Sequence, residues 1–252
     1  MRFVAIDIGN TNIHVGIFEE EVLHSTYLVK NEYQGDFIKI LNSVIPYKIE
    51  AVILSSVNPA IEVFVIECIQ KHLFVKPQRI GKEIPVPIPL LTEYPEKVGV
   101  DRLVNAIAAF ELTKNWTIVI DAGTAITIDG INAKGAFLGG VIAPGIGMSS
   151  KALHQYTALL PEVTVNKPES ILGKNTEEAI KSGIYWGTIG MINQYISMLC
   201  DELECQPTII ATGGNANMLA QEIPLITTVL PYLTLEGIKI TYKKNLALNM
   251  PH

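Results

Sequence analysis

The sequence predicts an α/β fold of two similar lobes, each with a mixed βββαβ-type sheet flanked by helices. Three observations predict it. The run Asp7-Ile8-Gly9-Asn10-Thr11 follows the apolar stretch Phe3-Val4-Ala5-Ile6. A related run, Asp121-Ala122-Gly123-Thr124, follows Thr117-Ile118-Val119-Ile120 about half a chain later. After each run, β-rich segments give way to alternating helix and strand patterns. The chain has 252 residues, which suits two lobes, expected at 1–115 and 116–252.

The elements follow in order. Phe3 to Ile6 is continuously apolar, as a central strand buried on both faces must be. A tight turn at Gly9-Asn10 leads to strands at His14–Phe18 and Val22–Val29, separated by Glu19-Glu20-Glu21. Residues 36–46, on the pattern of Asp36 to Leu41, suggest a short helix ended near Pro46. Ala51–Val57 is a second buried strand. Asn58-Pro59 then opens a helix to about Leu73, with Asn as N-cap and Pro at N1. Pro77–Ile80 is a short strand, and a proline-rich connection fills 82–97 before a helix from Asp101 to Lys114. The pattern restarts with strands at 117–120, 125–129 and 135–143. Pro144–Gly147 turns into a helix near 148–159, and 161–174 reads as loop. Asn175 and Glu178 form a capping box for a long helix to about Glu202. Strand 208–212, a Gly213-Gly214 turn and a helix from Ala216 with Asn215 as N-cap come next, and a last helix spans 233–246.

Composition narrows the function. Hydrophobic residues make up 48% and charged residues 17%, so the core is large or part of the surface is covered by another subunit. A net charge of −6 and no basic run with interleaved aromatics argue against nucleic acid as a partner. Cys68, Cys200 and Cys205 form no metal-ligand pattern, and three cysteines suit a reducing, cytoplasmic setting. His14, His24, His72, His154 and His252 show no ligand spacing either. The apolar run at the N-terminus stops at Asp7, too short for a secretory signal. No apolar span of 18 residues exists, so no membrane partner is expected. Trp116 and Trp186 read as core residues.

Three constellations carry chemistry. Each Asp-x-Gly run offers a carboxylate at a strand end, a glycine turn with bare N–H groups, and a Thr hydroxyl. A Mg-nucleotide needs those groups. A dinucleotide fingerprint would require Gly-x-Gly-x-x-Gly before a helix, and a P-loop would require a following Lys. Neither is met at Asp7–Thr11, where strand follows strand. The plain alternative is an ordinary hairpin turn, which the second copy at Asp121 makes less attractive. Gly99-Val100-Asp101-Arg102 stands at a helix start. Asp101 there is either an N-cap or the acceptor of a substrate hydroxyl proton, beside an Arg for an anion. Thr212-Gly213-Gly214-Asn215 follows a strand, and its two glycines either let the backbone approach a flat ligand closely or simply make a strand-to-helix turn.

Together these residues resemble the type III pantothenate kinases, members of the acetate and sugar kinase, Hsp70 and actin superfamily. The resemblance covers nearly the whole chain. It rests on Asp7–Asn12, Gly99–Leu103, Asp121–Ala125, Gly139-Gly140 with Pro144-Gly145, Asn175-Thr176 with Ser182-Gly183, and Thr212–Asn215. It implies actin-like (ribonuclease H-like) lobes and ATP-dependent phosphorylation of pantothenate to 4'-phosphopantothenate. It implies that Asp7, Ile8, Gly9, Asn10, Thr11, Asn12, Ile13 and His14 form the first ATP phosphate loop, with Asp7 near Mg²⁺, and that Thr124 contacts phosphate. Gly99, Val100, Asp101 and Arg102 would bind pantothenate, with Asp101 the proton acceptor. Tyr94 is the candidate for the family's upstream substrate Tyr. Asp121 would ligate a monovalent cation, K⁺ or NH₄⁺. Thr176 would reach pantothenate across the interface of a homodimer, with the long helix 176–202 as the candidate interface.

Two other readings share the fold. One is a nucleotide-binding regulatory protein without catalysis, which would be expected to lack Asp101 or one of the turn carboxylates. Asp7, Asp101 and Asp121 are all present. The other is a sugar or acetate kinase or a phosphatase of the superfamily, for which a longer chain with insertions is expected.

Overall fold

The computed structural model describes residues 2–44 and 48–248. Two five-stranded sheets, each with flanking helices, hold the chain. It divides into two compact units, Met1–Leu112 with Gly135–Phe137 and Tyr232–His252, and Thr113–Lys134 with Leu138–Pro231.

The first unit starts with β1 (Arg2–Ile8), β2 (Asn12–Glu19) and β3 (Val22–Lys30), an antiparallel meander. Helix α1 (Gln34–Val44) precedes β4 (Ala51–Ser56), and α2 (Pro59–Leu73) precedes β5 (Gln78–Arg79). The sheet order is β3-β2-β1-β4-β5, with β4 parallel to β1 and β5 parallel to β4. β1 is the central strand. Its Val4, Ile6 and Ile8 pack with Phe37, Leu41 and Val65 of α1 and α2. Its Phe3 and Ala5 face the other way, toward Leu235, Ile238 and Tyr242 of the C-terminal helix α7 (Leu233–Leu248). Burial on both faces is why this strand is continuously apolar in sequence. The sequence division placed 233–246 in the second lobe. The chain returns to the first unit at Tyr232, because this helix supplies the apolar cover for the second face of the first sheet.

The expected caps are present at α2, where Asn58 Oδ1 accepts from the Ile61 N–H at 3.3 Å and Pro59 occupies N1. α1 starts at Gln34, two residues before the expected start. Its expected end near Pro46 lies outside the described residues. The β2–β3 turn is unusual. Glu20 and Glu21 both have positive φ, 47° and 83°, where Asn-Gly is normally preferred. Lys239 of α7 donates to the Glu21 carbonyl at 3.1 Å and Lys243 pairs with its carboxylate, so α7 also secures this hairpin.

The second unit repeats the plan. β6 (Thr117–Ala122), β7 (Ala125–Ile131) and β8 (Phe137–Pro144) precede α4 (Ile146–Gln155) and α5 (Thr176–Leu203). β9 (Thr208–Thr212), α6 (Ala216–Glu222) and β10 (Thr228–Val229) complete it. The order β8-β7-β6-β9-β10 matches the first sheet strand for strand. β6 is antiparallel to β7 and parallel to β9, as β1 is to β2 and β4. α5 buries Tyr185, Ile189, Ile192 and Ile196, a stripe at helical spacing, against Ile118, Ile120 and Ile209. Trp186 joins that cluster as a partly buried member, in line with its reading as a core residue. Half of the expected Asn175–Glu178 capping box is formed: the Glu178 N–H donates to Asn175 Oδ1 at 2.9 Å, while the Glu178 carboxylate accepts from the Asn175 side-chain amide and the Lys174 N–H, each at 2.9 Å, in place of the Asn175 backbone N–H. α4 starts two residues earlier than expected, directly after Gly145.

Candidate functional site

Each unit carries one Asp-x-Gly turn at the end of its central strand. In the first, Asp7 sits at the C-terminal end of β1, opposite Ser55 of parallel β4. That register lets the buried Ser55 hydroxyl donate to Asp7 Oδ1 at 2.9 Å. The chain then turns between Ile8 and Ile13, which pair across β1 and β2. The Gly9 N–H closes the turn on the Asn12 carbonyl at 2.9 Å. Asn10 and Thr11 are exposed at its tip. Asn31, just past the end of β3, donates its side-chain amide to the carbonyls of Gly9 and Asn10, each at 3.0 Å. Its backbone N–H donates to the Thr11 carbonyl at 2.9 Å. His14 packs edge-on to Tyr232 with ring centroids 6.1 Å apart, and burial lowers its pKa, so the ring is neutral at physiological pH.

α3 (Val100–Thr113) brings a second carboxylate to the same unit. Asp101 is its second residue, and its Oδ1 accepts from the adjacent Arg102 N–H at 2.8 Å. An N-cap would instead precede the helix and accept from a donor two or three residues on. The plain capping role therefore does not describe Asp101. Burial raises its pKa, opposed by the Arg102 N–H and the Arg102 charge. A Cβ on Gly99 would stand 2.6 Å from Asp101 Oδ1, so the glycine leaves the carboxylate its place. That same Cβ would lie 3.6 Å from Val57, whose N–H donates to the Ile8 carbonyl at 3.0 Å. Val57 thus links the first turn to the Gly99–Asp101 corner. The Arg102 guanidinium lies 5.5 Å from the centroid of the buried Phe137 ring. Tyr94 is exposed, and its ring lies 4.3 Å from Lys97 Nζ within its own 3-10 turn.

In the second unit Asp121 ends β6 beside Thr212 of parallel β9. The turn is one residue shorter, with Ala122 pairing Ile126. The Gly123 N–H donates to the Ala125 carbonyl at 3.1 Å, and Thr124 is exposed. Glycines wall this turn. A Cβ on Gly145 would stand 2.3 Å from the Thr124 carbonyl oxygen and 2.5 Å from that of Gly123. One on Gly213, whose φ is +88°, would stand 2.6 Å from Asp121 Oδ1 and 2.7 Å from the Ala122 backbone. Asn215 was expected as a side-chain cap. It occupies the N-cap position of α6, but its amide donates back to the Ala122 carbonyl at 3.4 Å and its N–H to the same oxygen at 3.1 Å. Thr176 is the exposed first residue of α5, directly after the Asn175 N-cap.

Ser55 and Asn31 were not legible in sequence. Each reaches its turn through strand register, Asp7 opposite Ser55 and Asn12 opposite Lys30. Among the described residues, no group of three or more His, Cys, Asp or Glu side chains gathers to hold a metal. A kinase Mg²⁺ does not require one, because it is held by one or two carboxylates together with substrate phosphates and water. A single strand-end carboxylate beside a glycine turn fits that donor set.

These features define an actin-like α/β protein with duplicated carboxylate-and-glycine turns. Residues 3–198 match the family model of type III pantothenate kinases. A type III pantothenate kinase of Moorella thermoacetica is 39% identical over 251 residues, 96% of this chain and 99% of that protein. One from Anaeromyxobacter dehalogenans is 37% identical over the same shares. The chain belongs to the type III pantothenate kinase family. Among solved structures, a Baf family transcriptional activator from Campylobacter jejuni superposes with a TM-score of 0.64 at 22% identity, covering 97% of this chain and 100% of that one. Component A of (R)-2-hydroxyglutaryl-CoA dehydratase from Acidaminococcus fermentans gives 0.57 at 12%, covering 98% and 99%. At those identities the two share the fold. Among the described residues, no helix is long and apolar enough to cross a membrane.

Proposed function

We propose the following division of labour for the family's reaction, the ATP-dependent phosphorylation of pantothenate to 4'-phosphopantothenate that begins coenzyme A biosynthesis. The pantothenate hydroxyl oxygen attacks the γ-phosphorus of ATP, the bond from that phosphorus to the β,γ-bridging oxygen breaks, and ADP leaves. The hydroxyl proton passes to Asp101. The observation that carries this reading is the Asp101 carboxylate, set in the first turn of α3 and held through one oxygen by the Arg102 N–H. In phosphoryl transfer the acceptor mainly orients the hydroxyl, and positioning and charge neutralisation do most of the work.

Asp7 to His14 take ATP phosphate, with Asp7 the residue nearest Mg²⁺, and Thr124 donates to a phosphate oxygen. Mg²⁺, when bound, neutralises charge on the β- and γ-phosphates. Gly99 to Arg102 and Tyr94 bind pantothenate, Arg102 meeting its carboxylate. Asp121 holds a monovalent cation, K⁺ or NH₄⁺, which adds positive charge that a P-loop Lys supplies elsewhere. Thr176 reaches pantothenate from the second protomer of a homodimer. An open apolar groove of about 780 Å³ between α4 and α5, lined by Leu153, Tyr156, Ile180, Ile184 and Met191, supports α5 as that interface. Leu159, Ile171 and Leu172, from the connection between α4 and α5, are exposed apolar residues as well. A kinase drawing on the ATP pool works in the cytoplasm.

The test is ADP release with ATP and pantothenate, in K⁺ and in Na⁺, for the parent and Asp121→Ala. Turnover that needs pantothenate and K⁺, with the K⁺ requirement lost in the variant while ATP still binds, agrees with the assignment. Unchanged K⁺ dependence in the variant removes Asp121 from the cation site. Nucleotide binding without turnover in the parent would instead mark a silent member of the family.

A further inference from the structure

Asn31 makes three contacts to one turn. Its Nδ2 donates to the carbonyls of Gly9 and Asn10, and its backbone N–H donates to that of Thr11. Three successive carbonyls are therefore drawn to one residue. A trans peptide is planar, and its C=O and N–H point in opposite directions. Drawing the Gly9 and Asn10 carbonyls toward Asn31 therefore turns the N–H groups of Asn10 and Thr11 to the opposite side, at the exposed tip. Successive backbone N–H groups on one side of a turn form an anion-binding concavity. Asn31 Oδ1 is buried and has no hydrogen-bond partner. The side-chain amide is thus held by its donations to the turn alone.

We propose that Asn31 is a positioning residue for phosphate: it touches no substrate, and it sets the direction of the N–H groups that do. This rests on the reading of Asp7 to His14 as a phosphate loop. The amide is the side chain the geometry requires. It donates twice from one nitrogen to adjacent carbonyls. Asp has the same shape and would place an acceptor against two acceptors. Ala would leave both carbonyls unheld.

Steady-state kinetics of Asn31→Ala, Asn31→Asp and Asp7→Asn test it, with ATP and pantothenate varied separately and thermal midpoints recorded. Both Asn31 variants are expected to raise KM for ATP about tenfold or more, from two lost hydrogen bonds. KM for pantothenate should stay within about twofold, because no bond of Asn31 reaches the Gly99–Arg102 corner. Equal rises in both KM values, accompanied by a lower thermal midpoint, would make Asn31 a structural residue only and overturn the proposal. A parent-like KM for ATP in Asn31→Asp would overturn it as well. Asp7→Asn separates the two levels. If it cripples ATP use while the Asn31 variants behave as the parent, only the role of Asn31 falls. If none of the three alters ATP use, the phosphate-loop reading falls with it.

Discussion

The two Asp-x-Gly turns occupy equivalent places in sheets of the same strand order, yet they are braced by different means. The first is held by polar side chains arriving from neighbouring strands, Ser55 on Asp7 and Asn31 on the carbonyls of Gly9 and Asn10. The second is held by backbone pressed against backbone, with Gly145 and Gly213 filling the positions where side chains would collide. Asn215 is a partial counterpart of Asn31, donating to the Ala122 carbonyl. A turn can thus keep one place in the fold while its support passes from hydrogen bonds, which are replaceable at about 1 kcal/mol each, to close packing, which tolerates no added atom.

The helices that follow the two sheets differ as well. α3 has Asp101 as its second residue, whereas α7 has Thr234, which donates to Asn105 Oδ1 at 2.8 Å. The carboxylate proposed to accept the proton therefore has no counterpart at the second position of α7, and Asp101→Asn tests its proposed role most strongly. It should lower kcat by about 10²- to 10⁴-fold, the usual contribution of a positioned acid or base. Burial raises the Asp101 pKa, so the folded protein binds this proton more tightly than the unfolded chain does. Ionisation then costs stability as pH rises from the ordinary Asp value of about 3.9 through the raised one. The variant should accordingly be at least as stable as the parent at neutral pH. In the parent, kcat/KM should fall as pH drops through the raised value, and the variant should lack that limb. A variant with near-parent kcat would return Asp101 to a structural role.

The second prediction contrasts the supports. Gly145→Ala adds a Cβ at 2.3 Å from a backbone oxygen, and backbone cannot yield as a side-chain end can. It should cost about 3 kcal/mol or more and abolish turnover. Gly9→Ala meets the Asn12 carbonyl only at 3.3 Å and should cost about 1 kcal/mol or less. Denaturant unfolding of both variants checks this. Similar losses in the two would show that the turns share one kind of support after all.

Sequence patterns disclosed the repeat, because a strand buried on both faces must be apolar throughout and a turn needs its glycine. Most elements were legible for that reason, as was the placing of the two Asp-x-Gly turns at the ends of central strands. What stayed hidden depends on register. Asn31 stands 22 residues from Gly9 and Ser55 stands 48 from Asp7, and no local motif marks either. The Pro144-Gly145 run announced a turn, yet Gly145 has an extended φ of −72° that any residue could adopt. Its need for glycine comes from the carbonyls of Thr124 and Gly123, neighbours 21 and 22 residues away. The C-terminal helix was legible as a helix but not as cover for the first sheet, since an apolar face does not name the surface it covers.

Ser55 and Thr212 give the finest version of the contrast. They hold the same register position, opposite Asp7 and Asp121 on the parallel neighbour strand. Ser55 spends its hydroxyl on the carboxylate, whereas Thr212 donates to the Leu230 carbonyl at 2.7 Å. Equal positions therefore serve unequal ends, one orienting a charged group and the other joining β9 to the chain after β10. Ser55→Ala removes a hydrogen bond to a charged acceptor, so it should lower kcat/KM for ATP about 3- to 10-fold and leave KM for pantothenate unchanged. Thr212→Val replaces a buried neutral hydrogen bond and should cost about 1–2 kcal/mol in stability, with kcat/KM within about twofold of the parent. If the effects were exchanged, with Thr212→Val impairing ATP use and Ser55→Ala altering only stability, the nucleotide would depend on the second turn's carboxylate more than on the first's. The roles proposed for Asp7 and Asp121 would then have to be exchanged.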